Sequence, residues 1–399
     1  MFKKCLIPLT CLFVTFYSVS IEICLAMSNS NLKGTYISAT IGSKEIYNHN
    51  TQDDEVVDSW ANTYLLSSEG NGNIIFLEKN GKPVSYPLMP YTVNEHGIIL
   101  KNGVPNGIIS SNGNYFTFVG IDDGSLDDDL VMHIAIKTSS NMSNASLKGT
   151  YIMTTIGSKE IYNHSTQDDE VVDSWSDTYL LSSDGNGNIT FLEENGEPVS
   201  YPQMSYSVNE LGIMSKNGVP TGIISSDGNF FTFVSTDDGS LNVDLVMHIG
   251  IKTSSDMSNA SLKGTYIMTT IGSKKIYNHS TQDDEVVDSW ADAYLLSSDG
   301  NGNITFLEVN GKPVSYPQMS YSVNKNGIMS KNGIPIGIVN SEGSLFTFCG
   351  YDDDSTMKDL VIHLGIKISD RSAVIGDFNG DGIISISDVL LILNKLKVE

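Results

Sequence analysis

Between Leu130 and Lys137 the side chains of Leu130, Met132, Ile134 and Ile136 fall on one side and His133, Ala135 and Lys137 on the other. That two-residue period is the mark of a half-buried β-strand. Met204, Tyr206 and Val208 alternate in the same way with Ser205 and Ser207. Such segments are separated by turn signals, in the first third of the chain at Gly70-Asn71-Gly72, Asn80-Gly81, His96-Gly97, Asn102-Gly103, Asn112-Gly113 and Asp123-Gly124. Asn-Gly suits hairpin turns because both residues tolerate positive φ. The spacing predicts an all-β fold with about eight strands per unit, joined by hairpin-length loops into an antiparallel meander. A small closed barrel is the preferred form, since closure removes edges through which similar units could pair. A sandwich, or a propeller with two blades per unit, remains the alternative.

The unit is repeated. LKGTY begins at Leu32, Leu147 and Leu262, and each copy continues through SKEIYNH or SKKIYNH, TQDDEVVDSW, GNGNI, NG and PVSYP. The repeat is much longer than the roughly 20 to 50 residues of stacked solenoid units, so each copy can form a domain by itself. The expected division is a leader over 1–26, β repeats over 32–146, 147–261 and 262–370, and a distinct segment over 371–399. KTSSNMSNAS from Lys137 and KTSSDMSNAS from Lys252 read as polar linkers. The size of the unit and its LKGTY opening are similar to lipocalin- or avidin-type barrels, a resemblance that covers too few residues to imply a function.

Lys3 and Lys4 precede an apolar run that ends at Ala26, the pattern of a secretory signal peptide cleaved after that residue. The alternative is an uncleaved anchor, because the run from Cys5 to Ile21 approaches the length of a membrane span. Cys5, Cys11 and Cys24 lie in this leader, so the mature chain keeps only Cys349, and no intramolecular disulfide can form. Cys349 reads as a small buried filler, standing where the other repeats carry Val119 and Val234. With 47 acidic against 23 basic residues, the formal charge is −24. This repels nucleic acid and anionic membrane surfaces and favours cations.

The last stretch, DFNGDGIISISDVLLILNKL from Asp377, departs from the β pattern. Calcium takes six to eight oxygens, and the EF-hand loop supplies them from positions 1, 3, 5, 7, 9 and 12. Counted from Asp377, these are Asp377, Asn379, Asp381, the carbonyl of Ile383, Ser385 and Asp388, with Gly382 at the sharp turn. The following run, Val389 to Leu393 with Leu396, predicts a short helix apolar almost all round, which must be covered by something. An integrin-type repeat would continue into a strand instead. These residues resemble one calcium-binding segment of a dockerin, with Asp388 at position 12 and the immediate run into Val389, Leu390 and Leu393. The resemblance implies Ca2+ as cofactor and a cohesin-like protein as partner. Dockerins carry two such segments and here there is one, so self-association through the helix, or packing on the third repeat, is the other expectation.

TQDDEVVDSW, at Thr51, Thr166 and Thr281, concentrates carboxylates before each copy's tryptophan. It reads as an acidic solvated loop whose tryptophan plugs the barrel end, or as a calcium or glycan site with Trp60, Trp175 and Trp290 as stacking platforms beside Tyr47, Tyr162 and Tyr277. Adjacent carboxylates such as Asp53 and Asp54 do not span the two faces of a sugar as a glycosidase requires. Asp184, Asn186 and Asn188 read as a hairpin turn, because Ile189 stands where a calcium loop needs glycine. IDDGSLDDDL from Ile121 reads as an acidic surface turn, and His133, His248 and His363 as structural rather than metal-ligating residues. The expected whole is a secreted or cell-surface, non-enzymatic calcium-binding repeat protein for extracellular binding or assembly. Its rivals are a carbohydrate-binding component of a polysaccharide-degrading system and a barrel carrier.

Overall fold

The computed structural model describes residues 26–48, 53–120, 127–163, 168–235, 242–278, 283–350 and 357–369. In the first repeat the strands are β1 (Lys33–Asn48), β2 (Asp53–Glu69), β3 (Asn73–Lys79), β4 (Lys82–Pro83), β5 (Met89–Pro90), β6 (Thr92–Val93), β7 (Ile98–Lys101), β8 (Val104–Ile109), β9 (Tyr115–Gly120) and β10 (Asp127–Lys137). The other two repeats run in the same order, from Gly149–Asn163 to Asn242–Lys252 and from Gly264–Asn278 to Met357–Ser369. All pairings are antiparallel, and β1 lies between β2 and β10.

The sheet closes through one short segment. Met89 and Pro90 pair with Ile74 and Asn73 of β3, while Thr92 and Val93, just beyond Tyr91, pair with Leu100 and Ile99 of β7. Met89–Val93 therefore serves as one bent strand joining the two ends of the meander, and each repeat is the small antiparallel barrel that the strand count predicts. Between the two pairings the amide of Tyr91 donates to the carbonyl of Gly72 at 2.8 Å.

Strand parity gives each barrel two buried faces. Tyr36, Leu66, Ile74, Phe116, Phe118 and Ala135 point inward and form the first barrel's own core. Ile37, Ala39 and Ile41 of β1, with Leu130, Met132, Ile134 and Ile136 of β10, point outward, yet are buried. They meet their counterparts, among them Ile152, Met247 and Ile249 of the second repeat and Ile267, Ile362 and Leu364 of the third, in a common core. The apolar face legible in Leu130–Ile136 is thus the outside of a barrel.

The contacts between repeats close in a ring. Ser43 Oγ lies 2.8 Å from Ser289 Oγ, Ser158 Oγ 2.8 Å from Ser59 Oγ, and Ser273 Oγ 2.9 Å from Ser174 Oγ. Each repeat's β1 serine meets the β2 serine of the repeat before it, so the three barrels stand around a pseudo-threefold axis. A small cavity of ≈ 40 Å³ lies on this axis, between Ile41, Ile156 and Ile271.

The segments expected to be linkers belong to the barrels. Leu32, Leu147 and Leu262 are fully buried at the ends of short 3-10 turns, Asn29–Leu32, Asn144–Leu147 and Asn259–Leu262. Ahead of them the amides of Met27, Met142 and Met257 donate to the carbonyls of Glu95, Glu210 and Lys325, each at 3.1 Å. Asn29, Asn144 and Asn259 accept the amides of Val93, Val208 and Val323 at 2.7 Å. Each segment plugs the floor of the barrel that follows it.

Candidate functional site

The two ends of the pseudo-threefold axis differ in chemistry. At the upper end β1 and β2 extend as a ribbon beyond the rest of the barrel. The register pairs Tyr47 with Asp54 and Asn48 with Asp53, and brings Asp127–Asp129 of β10 beside Ile46, Glu45 and Lys44. The TQDDEVVDSW segment is therefore strand from Asp53 onward, where a loop was expected. Asp53, Asp54 and Glu55 pair with Asn48, Tyr47 and Ile46 of β1, and the register shifts between Lys44 and Glu45, opposite Val57.

Trp60, Trp175 and Trp290 pair with Gly42, Gly157 and Gly272. A Cβ on Gly42 would come within 2.5 Å of the Trp60 ring, so the indole lies directly across the glycine. By parity Trp60 shares the inward face with Asn62 and Tyr64, level with the last rung of β9, where Val131 pairs with Gly120. The tryptophans stand half-buried at the barrel mouths.

In the same region Lys275 is 4% exposed, and its Nζ donates to Asp173 Oδ1 at 3.0 Å and to Ser174 O at 3.1 Å. Glu45 and Glu160 occupy the equivalent places in the other repeats. Among the described residues no three of His, Cys, Asp and Glu come together as a metal-binding group.

His133, His248 and His363 serve the barrel interiors. His133 Nδ1 lies 2.8 Å from Thr40 Oγ1, with 2.9 Å for His248 and Thr155 and 2.7 Å for His363 and Thr270. Their rings lie against Phe118, Phe233 and Phe348 at 4.2, 4.3 and 4.2 Å between centroids. Burial lowers all three pKa values to about 3, which keeps the imidazoles neutral. Burial likewise raises the Cys349 thiol to about 12, and its sulfur lies 3.2 Å from Thr178 Oγ1 of the neighbouring repeat. A thiol so protonated is packing, not a nucleophile.

Asp184 accepts the amides of Asn186 and Asn188 at 2.7 and 3.1 Å and the side-chain amide of Asn188 at 2.9 Å. These bonds, that of the Asn188 side chain first, hold its pKa below the ordinary value, and the carboxylate is occupied by its own hairpin turn. The barrel interiors are filled by their own side chains. The second keeps an opening of ≈ 110 Å³ near Met204, Met214 and His248, below the roughly 300 Å³ at which small-ligand sites begin.

The lower end of the axis carries a funnel of ≈ 620 Å³, which nothing in the sequence pattern singled out. It forms where the three β8–β9 turns converge with the ends of β10 and of its second-repeat counterpart. Tyr115 and Phe230 make its floor, 5.7 Å apart between centroids. Asp377, Asn379, Asp381, Ile383, Ser385 and Asp388 lie outside the described residues, as do residues 1–25 of the leader, residues 121–126 and the expected helix.

No family model matches the chain, and no curated protein does either. Among solved structures, the chain is similar to a double mutant of the vaccine antigen Transferrin Binding Protein B from Haemophilus parasuis Hp5 at 10% identity and a TM-score of 0.25, covering 83% of this chain and 75% of that one. It is also similar to intact Ap-TbpB, with N and C lobes, at 8% identity and a TM-score of 0.24, covering 86% and 77%. At these scores the likeness carries no argument about fold or ligand.

Proposed function

We propose that the chain is an exported, non-catalytic binding protein, a body of three fused barrels that carries a calcium-binding docking segment at its C-terminal end. The observation that carries this reading is the ligand spacing from Asp377 to Asp388, where five oxygen-bearing side chains and Gly382 fall at the offsets of a calcium loop. It sits a few residues beyond Ser369, where the last barrel strand ends. The body supports a scaffold role: His133, His248 and His363 and the one described thiol are spent on packing.

Export fits the position of the first plug. Cleavage after Ala26 would leave Met27, whose amide donates to the carbonyl of Glu95 at 3.1 Å, so the first plug stays with the mature chain. Calcium would order the loop, and the apolar turn from Val389 to Leu396 would then grip a cohesin-like protein or a second copy of the chain.

Calorimetric titration of calcium into the full chain tests the assignment. Asp377→Ala with Asp381→Ala should abolish the binding heat and any calcium-dependent gain in helicity. Equal heats from the parent and the variant would move the site to the acidic ribbons and end the docking proposal.

A further inference from the structure

We propose that the funnel between the three repeats binds a neutral, hydroxyl-rich ligand, a sugar unit of a glycan. This goes beyond calcium-dependent docking and does not depend on it.

The volume comes first. At ≈ 620 Å³ the funnel falls inside the roughly 300 to 1,000 Å³ of small-molecule sites and far exceeds the two other cavities described. Its chemistry is amphipathic, with hydroxyls and carboxamides on the walls, as at Asn114, Thr138 and Thr253, above the apolar floor of Tyr115 and Phe230. A pyranose has the same division, hydroxyls at its edge and C–H groups on its faces.

Charge narrows the class further. In a chain of net charge −24, the charged residues at the funnel are Lys137 and Lys252 against Asp227 and Glu342. Two cations balance two anions, so the site has no net attraction for a metal ion or a phosphate. The lysine amines are drawn toward the rings of Tyr36 and Tyr151, 5.9 and 5.8 Å from the centroids.

The walls are preorganised. Tyr36, Tyr151 and Tyr266 donate their hydroxyls to the turn carbonyls of Gly113, Gly228 and Gly343 at 2.9, 2.7 and 2.8 Å. The backbone of each turn is fixed before any ligand arrives, which lowers the ordering cost of binding.

The repeats also diverge here. The three turns read SSNGNY from Ser110, SSDGNF from Ser225 and NSEGSL from Asn340. The threefold pattern is thereby broken at the rim, by Asn112, Asp227 and Glu342, and at the floor, by Tyr115, Phe230 and Leu345. One asymmetric pocket results, suited to one asymmetric ligand.

The test uses the full chain on an array of neutral glucans, xylans and mannans, followed by calorimetry with the best oligosaccharide and with inorganic phosphate. Ser226 and Ser341 are exposed at the funnel, so Ser226→Trp and Ser341→Trp fill it without entering a core. Each should weaken glycan binding at least tenfold at unchanged melting temperature. Asp377→Ala with Asp381→Ala should leave glycan binding intact while calcium binding is lost, so the two proposals fail separately. No binding to any glycan, retention in both tryptophan variants, loss in Trp175→Ala instead, or tighter binding of phosphate than of sugar would each overturn the assignment.

Discussion

At the scale of single residues, the inward-facing histidines make the fold acid-sensitive in a defined window. A buried imidazole with a pKa near 3 must gain a proton on unfolding at any pH below its ordinary value of 6.5. Its folded pKa is depressed, so the stability it contributes is complete above about pH 6.5 and is lost progressively as pH falls toward 3. The slope for each fully titrating group is about 1.4 kcal/mol per pH unit. Melting curves between pH 7 and pH 4 should show a steep decline, and His248→Gln should remove about a third of its histidine-linked part. A melting temperature flat across that range would mean the rings are protonated or solvated in the folded protein. The structural role of these residues was legible from parity, since each histidine stands opposite the apolar face of its strand. Their partners were not, because Thr40 and Phe118 are brought to His133 only by strand register.

Among elements, the plugs show most clearly what a polar sequence can conceal. MSNSNL, MSNASL and MSNASL recur at Met27, Met142 and Met257 with the period of the whole repeat, which was the available signal. Four residues of 3-10 turn carry one buried leucine, too few positions for any hydrophobic periodicity to register. Leu147 is fully buried on the floor of the second barrel. Leu147→Ala should cost about 2 to 5 kcal/mol in chemical denaturation, the usual range for a leucine truncated in a core. A true linker would tolerate the change within about 0.5 kcal/mol. The acidic ribbon is the opposite case. Asp and Glu are poor strand formers, so Asp53–Glu55 read as loop, yet pairing with β1 overrides the local preference. The segment that closes the second barrel was visible as the alternation of Met204, Tyr206 and Val208, but its division into two two-residue strands around Tyr206 was not.

The arrangement of the whole molecule follows from a feature that one repeat's sequence could not disclose: β1 and β10 bury both faces. Alternation distinguishes an apolar face from a polar one, but the inward face here reads as polar because it carries Ser38, Thr40 and His133. The outer face is the more apolar of the two and needs other barrels to cover it. The three repeats satisfy one another in a ring, and the ring implies that a single repeat already contains both halves of every interface. The second repeat shows this in hydroxyl pairs. Thr117 meets Thr269 at 2.7 Å and Thr347 meets Thr154 at 2.6 Å, while the third pairing of the ring sets Thr232 against Ala39. Three copies of the second repeat would restore Thr154 against Thr232 at every junction. Residues 142–252, produced alone, should therefore assemble as a trimer in sedimentation equilibrium, and Met247→Asp, placing a charge in the common core, should prevent it. A stable, soluble monomer would show that the outer faces tolerate water and that the ring is held by the covalent connections alone. Trimerisation would instead place the stability of the molecule in the core shared around its axis.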